Sequence, residues 1–384
     1  MLNLGAEKAA AGRVLIADDQ PHILFALQML LSGSGFSTET VTHPARVLDA
    51  LETESFDAVL MDLNYTRDTV GGAEGLDLVS KIRALDSSLP VVVMTAWSTV
   101  DLAVEAMRRG ASDFVQKPWE NRDLLHKLEQ QLSLAREQRR KQRLHEEELR
   151  DAREIQHSLL PQTLPQIANY EIAAINRPLR FVGGDYYNVM KMDDRRTAVC
   201  IADVAGKGMP AALLMSSLQA ALQPLIAQKL PPGELCQRLN RILCDVMPIG
   251  KFISFFYGVL DGVENRLTYC NAGHNPPLMI RADGASLELS AEGAVLGQFP
   301  EWQYRQSELQ ISGGDRMILY TDGLVEACGA DEEAFGEENV IRVARENRQC
   351  SAHRLIEALM HAASEHCGGH FQDDASLIVL KASD

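Results

Sequence analysis

IADVAGKGMPAAL, residues 201–213, joins the end of an apolar strand (RTAVCIADV, 196–204) to the start of an apolar helix (PAALLMSSLQAALQPLIAQ, from Pro210) through a turn holding two glycines. Asp203 therefore stands at a strand end beside glycine, where the missing β-carbon lets the backbone approach a bound group closely. The same arrangement recurs at Asp185 in FVGGDYYN, at Asp322 in YTDGL and at Asp373–Asp374 in QDDASLIVL. Carboxylates from four remote segments, with no His or Cys among them, suit Mg²⁺ or Mn²⁺ and not zinc. Gathered without a cation they would repel one another and hold protons. A pair of divalent ions relieves that repulsion and would activate a bridging water for attack on phosphorus.

Around this stretch, strand-like alternation appears at YEIAAIN, YNVMKM, FISFFYGVL, RLTYCNAG, RMILYTDGL and ASLIVLKA. Helical spacing appears at PGELCQRLNRILCDVM and SAHRLIEALMHAASEH. Strand clusters interrupted by paired helices favour an α+β layered domain over residues 165–384. In their order EIQHSLLP, FVGGDYYN, IADVAGKGMPAAL, NAGHNPP, YTDGLVEA and DDASLIVL, this part of the chain resembles the metal-dependent PPM-type serine/threonine protein phosphatases, in their bacterial stress- and sporulation-regulator branch. The resemblance implies a β-sandwich flanked by helices and a two-metal hydrolase. It places Asp203 as the bridge between both metals, with the Val204 carbonyl on one ion. Asp322 and Asp373 complete one site, Asp185 serves the other, and Asp374 supports its neighbour. Arg180 takes the place of an arginine that clamps substrate phosphate in some relatives. Eukaryotic relatives carry a His soon after the bridging Asp; here Ala205 is the second residue after it, so the leaving-group proton donor stays unassigned. His274 reads more simply as a turn histidine bonded to backbone, and the His361, His366, Cys367, His370 group as a helix ended by Gly368–Gly369.

Residues 12–121 have a different pattern: RVLIADD, FSTETV, FDAVLMD, LPVVVMTA and ASDFVQKP alternate with amphipathic helices. Near-continuous apolar strands separated by helices indicate a parallel, doubly wound, flavodoxin-like sheet covered on both faces. Its strand ends collect Asp18, Asp19, Asp62, Thr95 and Lys117, a hard-cation site with a cationic clamp suited to phosphoryl transfer onto a carboxylate. This region resembles a response-regulator receiver domain. The resemblance implies Asp62 as phosphoacceptor, with Asp19, Asp62 and the Asn64 carbonyl holding Mg²⁺ and Asp18 supporting. It implies phosphoryl contacts from Thr95 and Lys117, Phe114 as the switch aromatic, and a sensor histidine kinase as partner. The loop NYTRDTVGGAEG after Asp62 is longer than usual and lacks the customary proline.

Residues 122–160 contain no Gly or Pro and are rich in helix formers, enough for a rod of roughly 60 Å. Leu128, Ala135, Gln142, Leu149 and Gln156 share one heptad phase; Leu125, Leu132, Arg139, Glu146, Arg153 and Leu160 share another. The seam is apolar at both ends and polar in the middle, which fits a switchable coiled-coil homodimer or a solvated single helix.

The 384 residues carry 37 Lys+Arg against 53 Asp+Glu, a formal net charge of -16 that disfavours nucleic-acid binding; the one dense basic run is REQRRKQR at 136–143. No apolar window matches a membrane span, MLNLGAEKAAAGR has no signal-peptide core, and the seven scattered cysteines fit reduced thiols, so a cytoplasmic protein is expected. The combined expectation is a two-component regulator whose output is metal-dependent dephosphorylation of phosphoserine or phosphothreonine on an anti-anti-sigma-type protein. The alternative is a catalytically silent adaptor for a sigma-factor-type partner.

Overall fold

The computed structural model describes residues 12–65, 73–96, 100–290, 293–329 and 331–383. The chain divides into two compact units between Glu146 and Glu147. In the N-terminal unit β1 (Arg13–Ala17), α1 (Pro21–Gly33), β2 (Ser37–Val41), α2 (Pro44–Thr53), β3 (Ala58–Asp62), α3 (Ala73–Leu85), β4 (Val91–Ala96), α4 (Val100–Arg108) and β5 (Asp113–Lys117) alternate as the sequence predicts. The strands pair in parallel in the order β2-β1-β3-β4-β5. Alternate residues point to opposite faces, so Leu15, Val59, Met61 and Val93 join one core layer while Val14, Ile16, Leu60 and Val92 join the other. Much of the long loop after Asp62, residues 66–72, lies outside the described residues.

Helix α5 (Asn121–Leu159) runs 39 residues. Its first turns bury Leu124, Leu128 and Leu132 in the second core layer of the N-terminal unit, so this end of the expected seam is occupied within the unit itself. Farther along, Leu134, Leu144 and Ile155 are exposed, while Leu159 and Leu160 pack into the core of the C-terminal unit.

That unit contains β6 (Tyr170–Arg177), β7 (Tyr186–Lys191), β8 (Arg196–Val204), α6 (Met209–Ala227), α7 (Pro232–Val246), β9 (Ile253–Asp261) and β10 (Arg266–Ala272). There follow β11 (Leu278–Ile280), β12 (Ser286–Glu288), β13 (Ser307–Gln310), β14 (Arg316–Tyr320), α8 (Asp322–Val325), α9 (Gly336–Glu346), α10 (Ala352–His366) and β15 (Ala375–Ala382). Two antiparallel sheets, β13-β10-β9-β8-β7 and β12-β11-β14-β15-β6, form a sandwich. Val199, Ile201 and Phe256 from one sheet share a core with Met317, Leu319, Ile378 and Leu380 from the other. Met215, Leu218, Leu235 and Leu239 bring α6 and α7 onto the first sheet, and Val340, Leu355 and Leu359 bring α9 and α10 onto the second. β8 is covered on both sides, which is why RTAVCIADV is apolar nearly throughout. Among the described residues α6 is the one helix long and apolar enough to match a membrane span by composition, and its Ala211, Met215, Leu218 and Leu222 are buried in this core. All seven cysteines are free thiols and lie in this unit; Cys200, Cys236, Cys270 and Cys367 are buried.

Candidate functional sites

Parallel pairing brings the carboxyl ends of β1, β3, β4 and β5 together at one edge of the first sheet. One oxygen from each of Asp18, Asp19 and Asp62 lies within 4.8 Å of the others, the single such trio among the described residues. The Lys117 ammonium spans two of them, donating to Asp18 Oδ2 at 2.7 Å and Asp62 Oδ2 at 2.8 Å. Backbone N–H groups complete the cradle: Gln20 donates to Asp18 Oδ1 (2.9 Å) and Asn64 to Asp62 Oδ1 (3.3 Å). Burial raises the pKa of Asp62, and the neighbouring Lys117 charge opposes that rise. Thr95 is buried near the end of β4, two strands of the register away from β1. Phe114 lies on the outer side of β5, 36% exposed, with the Lys127 ammonium 5.0 Å from its ring centre. Asp18, Asp19, Asp62, Asn64 and Lys117 thus come together, Thr95 lies buried near the end of the adjoining strand β4, and Phe114 faces outward.

In the C-terminal unit the acids converge from β6–β7, β8, β14–α8 and the approach to β15. Asp374 organises the first of these loops, accepting from Leu179 N (2.7 Å) and Gly184 N (2.8 Å) through its two oxygens. A side chain at Gly183 would collide with that carboxylate, which explains the glycine. Asp185 is buried; its Oδ2 accepts from Thr321 Oγ1 at 2.8 Å, whereas Oδ1 meets no donor. Burial, followed by the neighbouring charge of Asp203, pushes the Asp185 pKa well up. Asp203 is raised by burial and then by Asp322 and Asp373, and its carboxyl lies against that of Asp185. Asp322 rises to about 6, through burial first and then Glu326 and Asp373. It begins the single-turn α8, not a strand end as YTDGL suggested, because β14 closes at Tyr320. The Val204 carbonyl faces the same loop: a β-carbon on Gly184 would sit 3.0 Å from its oxygen.

Cations border these acids. Lys207, between the two glycines of the turn, places Nζ 2.7 Å from Asp373 Oδ2 and donates to the Gln372 carbonyl at 2.6 Å. Lys251 donates to the Ala205 carbonyl at 3.0 Å, and the exposed Arg180 side chain comes within 4 Å of where a Gly208 side chain would be. His274 is buried, with Nδ1 2.8 Å from Ser254 Oγ. Its ring meets the Ser254 hydroxyl as well as the Tyr320 backbone, and burial lowers its pKa to about 4. His366 bonds the Glu333 carbonyl at 2.8 Å, and Gly368 and Gly369 follow α10 with positive φ. Thr321, Lys207 and Ser254 were not singled out from sequence. Thr321 adjoins Asp322, Ser254 is the strand partner of Asp203 and Lys207 follows Asp203 by four residues, but hydroxyls and lysines carry no spacing signal of their own.

Residues 193–383 match the Stage II sporulation protein E (SpoIIE) family, and residues 14–129 match the response regulator receiver domain. The phosphoserine phosphatase RsbU of Bacillus subtilis is 30% identical over 235 residues, which span 61% of this chain and 70% of RsbU. The chain belongs to the RsbU-like branch of the SpoIIE phosphatase family. Its N-terminal unit is a receiver, similar to that of the transcriptional regulator NtrC of Escherichia coli (34% over 127 residues, 33% of this chain and 26% of NtrC). The SiaA-PP2C domain of Pseudomonas aeruginosa shares the fold of the C-terminal unit, with a TM-score of 0.57 at 22% identity, covering 63% of this chain and 98% of that domain. The C-terminal unit is a SpoIIE-family phosphatase domain, and the chain joins it to a receiver.

Proposed function

We propose that the chain is a two-component response regulator whose output is metal-dependent dephosphorylation of phosphoserine or phosphothreonine on a protein. The observation that carries this reading is the Asp185, Asp203, Asp322 and Asp373 assembly: desolvation and then neighbouring acids raise the pKa of Asp185, Asp203 and Asp322, while Asp185 Oδ1 lacks any donor. An acceptor-only cluster of this kind fits divalent cations. Asp203 would bridge two Mg²⁺ or Mn²⁺ ions, with Asp322 and Asp373 on one, Asp185 on the other, and the Val204 carbonyl contributing. When bound, the ions polarise a phosphoryl oxygen and activate water. Lys207 would leave Asp373 to an ion and, with Arg180, hold the substrate phosphate; Thr321 keeps Asp185 oriented.

In the receiver, Asp62 would accept a phosphoryl group from a sensor histidine kinase, with Asp18, Asp19 and the Asn64 carbonyl around Mg²⁺ and Lys117 and Thr95 on the phosphoryl oxygens. Phosphorylation would act through α5, by a change in its pairing in a homodimer. The substrate would be an anti-anti-sigma-type protein in the cytoplasm; the similarity to the phosphoserine phosphatase RsbU supports phosphoserine as the group removed. Retention of all four acids counts against the silent adaptor. Hydrolysis of a phosphoserine protein panel with Mn²⁺, by the full chain and by Asp203→Asn, tests the reading. Turnover by the first and its loss, on the order of 10³-fold, in the second is expected; equal rates would refute it.

A further inference from the structure

The last turns of α5, in the EIQHSLLP motif, make a contact with the Asp185 loop to which neither the family resemblance nor the acid cluster gives a role. Gln156 brackets Gly183 with its carboxamide: Nε2 donates to the Gly183 carbonyl at 2.7 Å, and the Gly183 N–H donates to Oε1 at 3.1 Å. The two bonds reach the peptide groups on either side of the Gly183 α-carbon, so together they hold the position and course of the main chain there. The next residue, Gly184, donates to Asp374 Oδ2, and the one after it is Asp185. Asp374 in turn donates its N–H to Asp373 Oδ1 at 2.9 Å. A continuous set of hydrogen bonds therefore runs from the helix, through one peptide, to carboxylates at two points of the cluster. The helix end that carries Gln156 is itself anchored, with Leu160 buried and Leu159 packed against the sandwich core. A neighbouring apolar side chain, Ile155, points to solvent, so the helix turns its polar carboxamide inward and an isoleucine outward. That inversion is costly unless the amide has a purpose.

We propose that Gln156 is a positioning residue for the ion-binding acids: its carboxamide holds the Gly183–Asp185 segment at the spacing the cations need, and so makes cation affinity depend on where the end of α5 sits. The proposal rests on the two-ion reading given above. Groups that orient ligands without touching the metal shift metal affinity by about 10- to 100-fold when removed. By reciprocity, cation binding must also stabilise the end of α5.

The test uses the full chain with Asp19→Asn in every sample, which removes a carboxylate from the receiver cluster, and reads Mn²⁺ binding by electron paramagnetic resonance. Gln156→Leu, close in volume but without donor or acceptor, is expected to raise the Mn²⁺ dissociation constant about tenfold. The turnover number at saturating Mn²⁺ should stay within about twofold, because the proposal concerns ligand placement and not the phosphoryl chemistry. Gln156→Glu keeps the acceptor for the Gly183 N–H and loses the donor, and should give a smaller rise, roughly threefold. Hydrogen exchange over residues 154–160 should slow on adding Mn²⁺ in the parent and not in Gln156→Leu. A folded Gln156→Leu with parental Mn²⁺ affinity overturns the proposal; should that variant fail to fold, parental affinity in Gln156→Glu does so. The two-ion reading fails separately, if Asp203→Asn binds Mn²⁺ as the parent does.

Discussion

The two units solve one electrostatic problem in different ways. In the receiver, buried Asp18 and Asp62 share a resident cation, the Lys117 ammonium, so the cluster is charge-compensated by the chain itself. In the phosphatase domain Asp185, the most buried acid of the cluster, meets hydroxyls and no cation, and the Lys207 ammonium pairs with the part-exposed Asp373. A buried carboxylate without a counter-charge is expensive. The receiver cluster therefore carries an internal counter-charge, whereas burial and neighbouring acids push up the pKa of Asp185, Asp203 and Asp322 in the phosphatase cluster.

Breaking the receiver's internal pairing should have the largest consequence. Lys117→Met leaves two buried aspartates without their cation and is expected to cost about 3–5 kcal/mol in the receiver's urea transition, while the phosphatase transition stays put. If the receiver loses less than about 1 kcal/mol, Lys117 is not the compensating charge. Mn²⁺ at a hundred times its dissociation constant should stabilise the phosphatase domain by about 2.7 kcal/mol. Calorimetry of the full chain with and without chelator reads this at the domain's own transition, and no shift there would erase the contrast.

His274 supplies a pH-dependent contribution that the receiver lacks. Its folded pKa, lowered to about 4 by burial, lies below the ordinary 6.5 of an unfolded histidine. The unfolded chain therefore binds more protons, and stability is lost as pH falls from about 6.5 toward 4. Between pH 7 and pH 5 this amounts to about 2 kcal/mol. His274→Gln should flatten that part of the pH–stability curve of the phosphatase domain, and an unchanged slope would mean that the ring is protonated in the fold. The smallest effect is the sharpest comparison. Asp185→Asn should stabilise the metal-free domain by about 1 kcal/mol, since a neutral amide removes the uncompensated charge and keeps an acceptor for Thr321. The same variant should abolish the response to Mn²⁺. Asp18→Asn, which discards a paired charge, should stabilise nothing.

Legibility from sequence followed burial. β1, β3, β4 and β8 are covered on both faces and announce themselves as apolar runs with an acid at the end, and that placed Asp18, Asp19, Asp62 and Asp203 without coordinates. β11 and β12 have three residues each and β13 four, too few for a period to emerge, and β12 is wholly exposed. α9 buries only Val340, Val343 and Ala344 among charged residues, so its surface obscures its core face. At the site, the acids were legible because a carboxylate beside glycine at a strand end is chemically unusual. Gln156 was not, because a glutamine in a helix of glutamines, glutamates and arginines differs from its neighbours only in what it touches.

The cysteine distribution provides a further handle. Every thiol lies between Cys200 and Cys367, and none is in the receiver. A colorimetric thiol reagent is therefore blind to events in the first unit and reports solely on opening of the second. The intact fold shields Cys200, Cys236, Cys270 and Cys367, leaving Cys244, Cys328 and Cys350 for slow labelling. The chain carries its own domain-selective unfolding gauge, ready for use without an added dye.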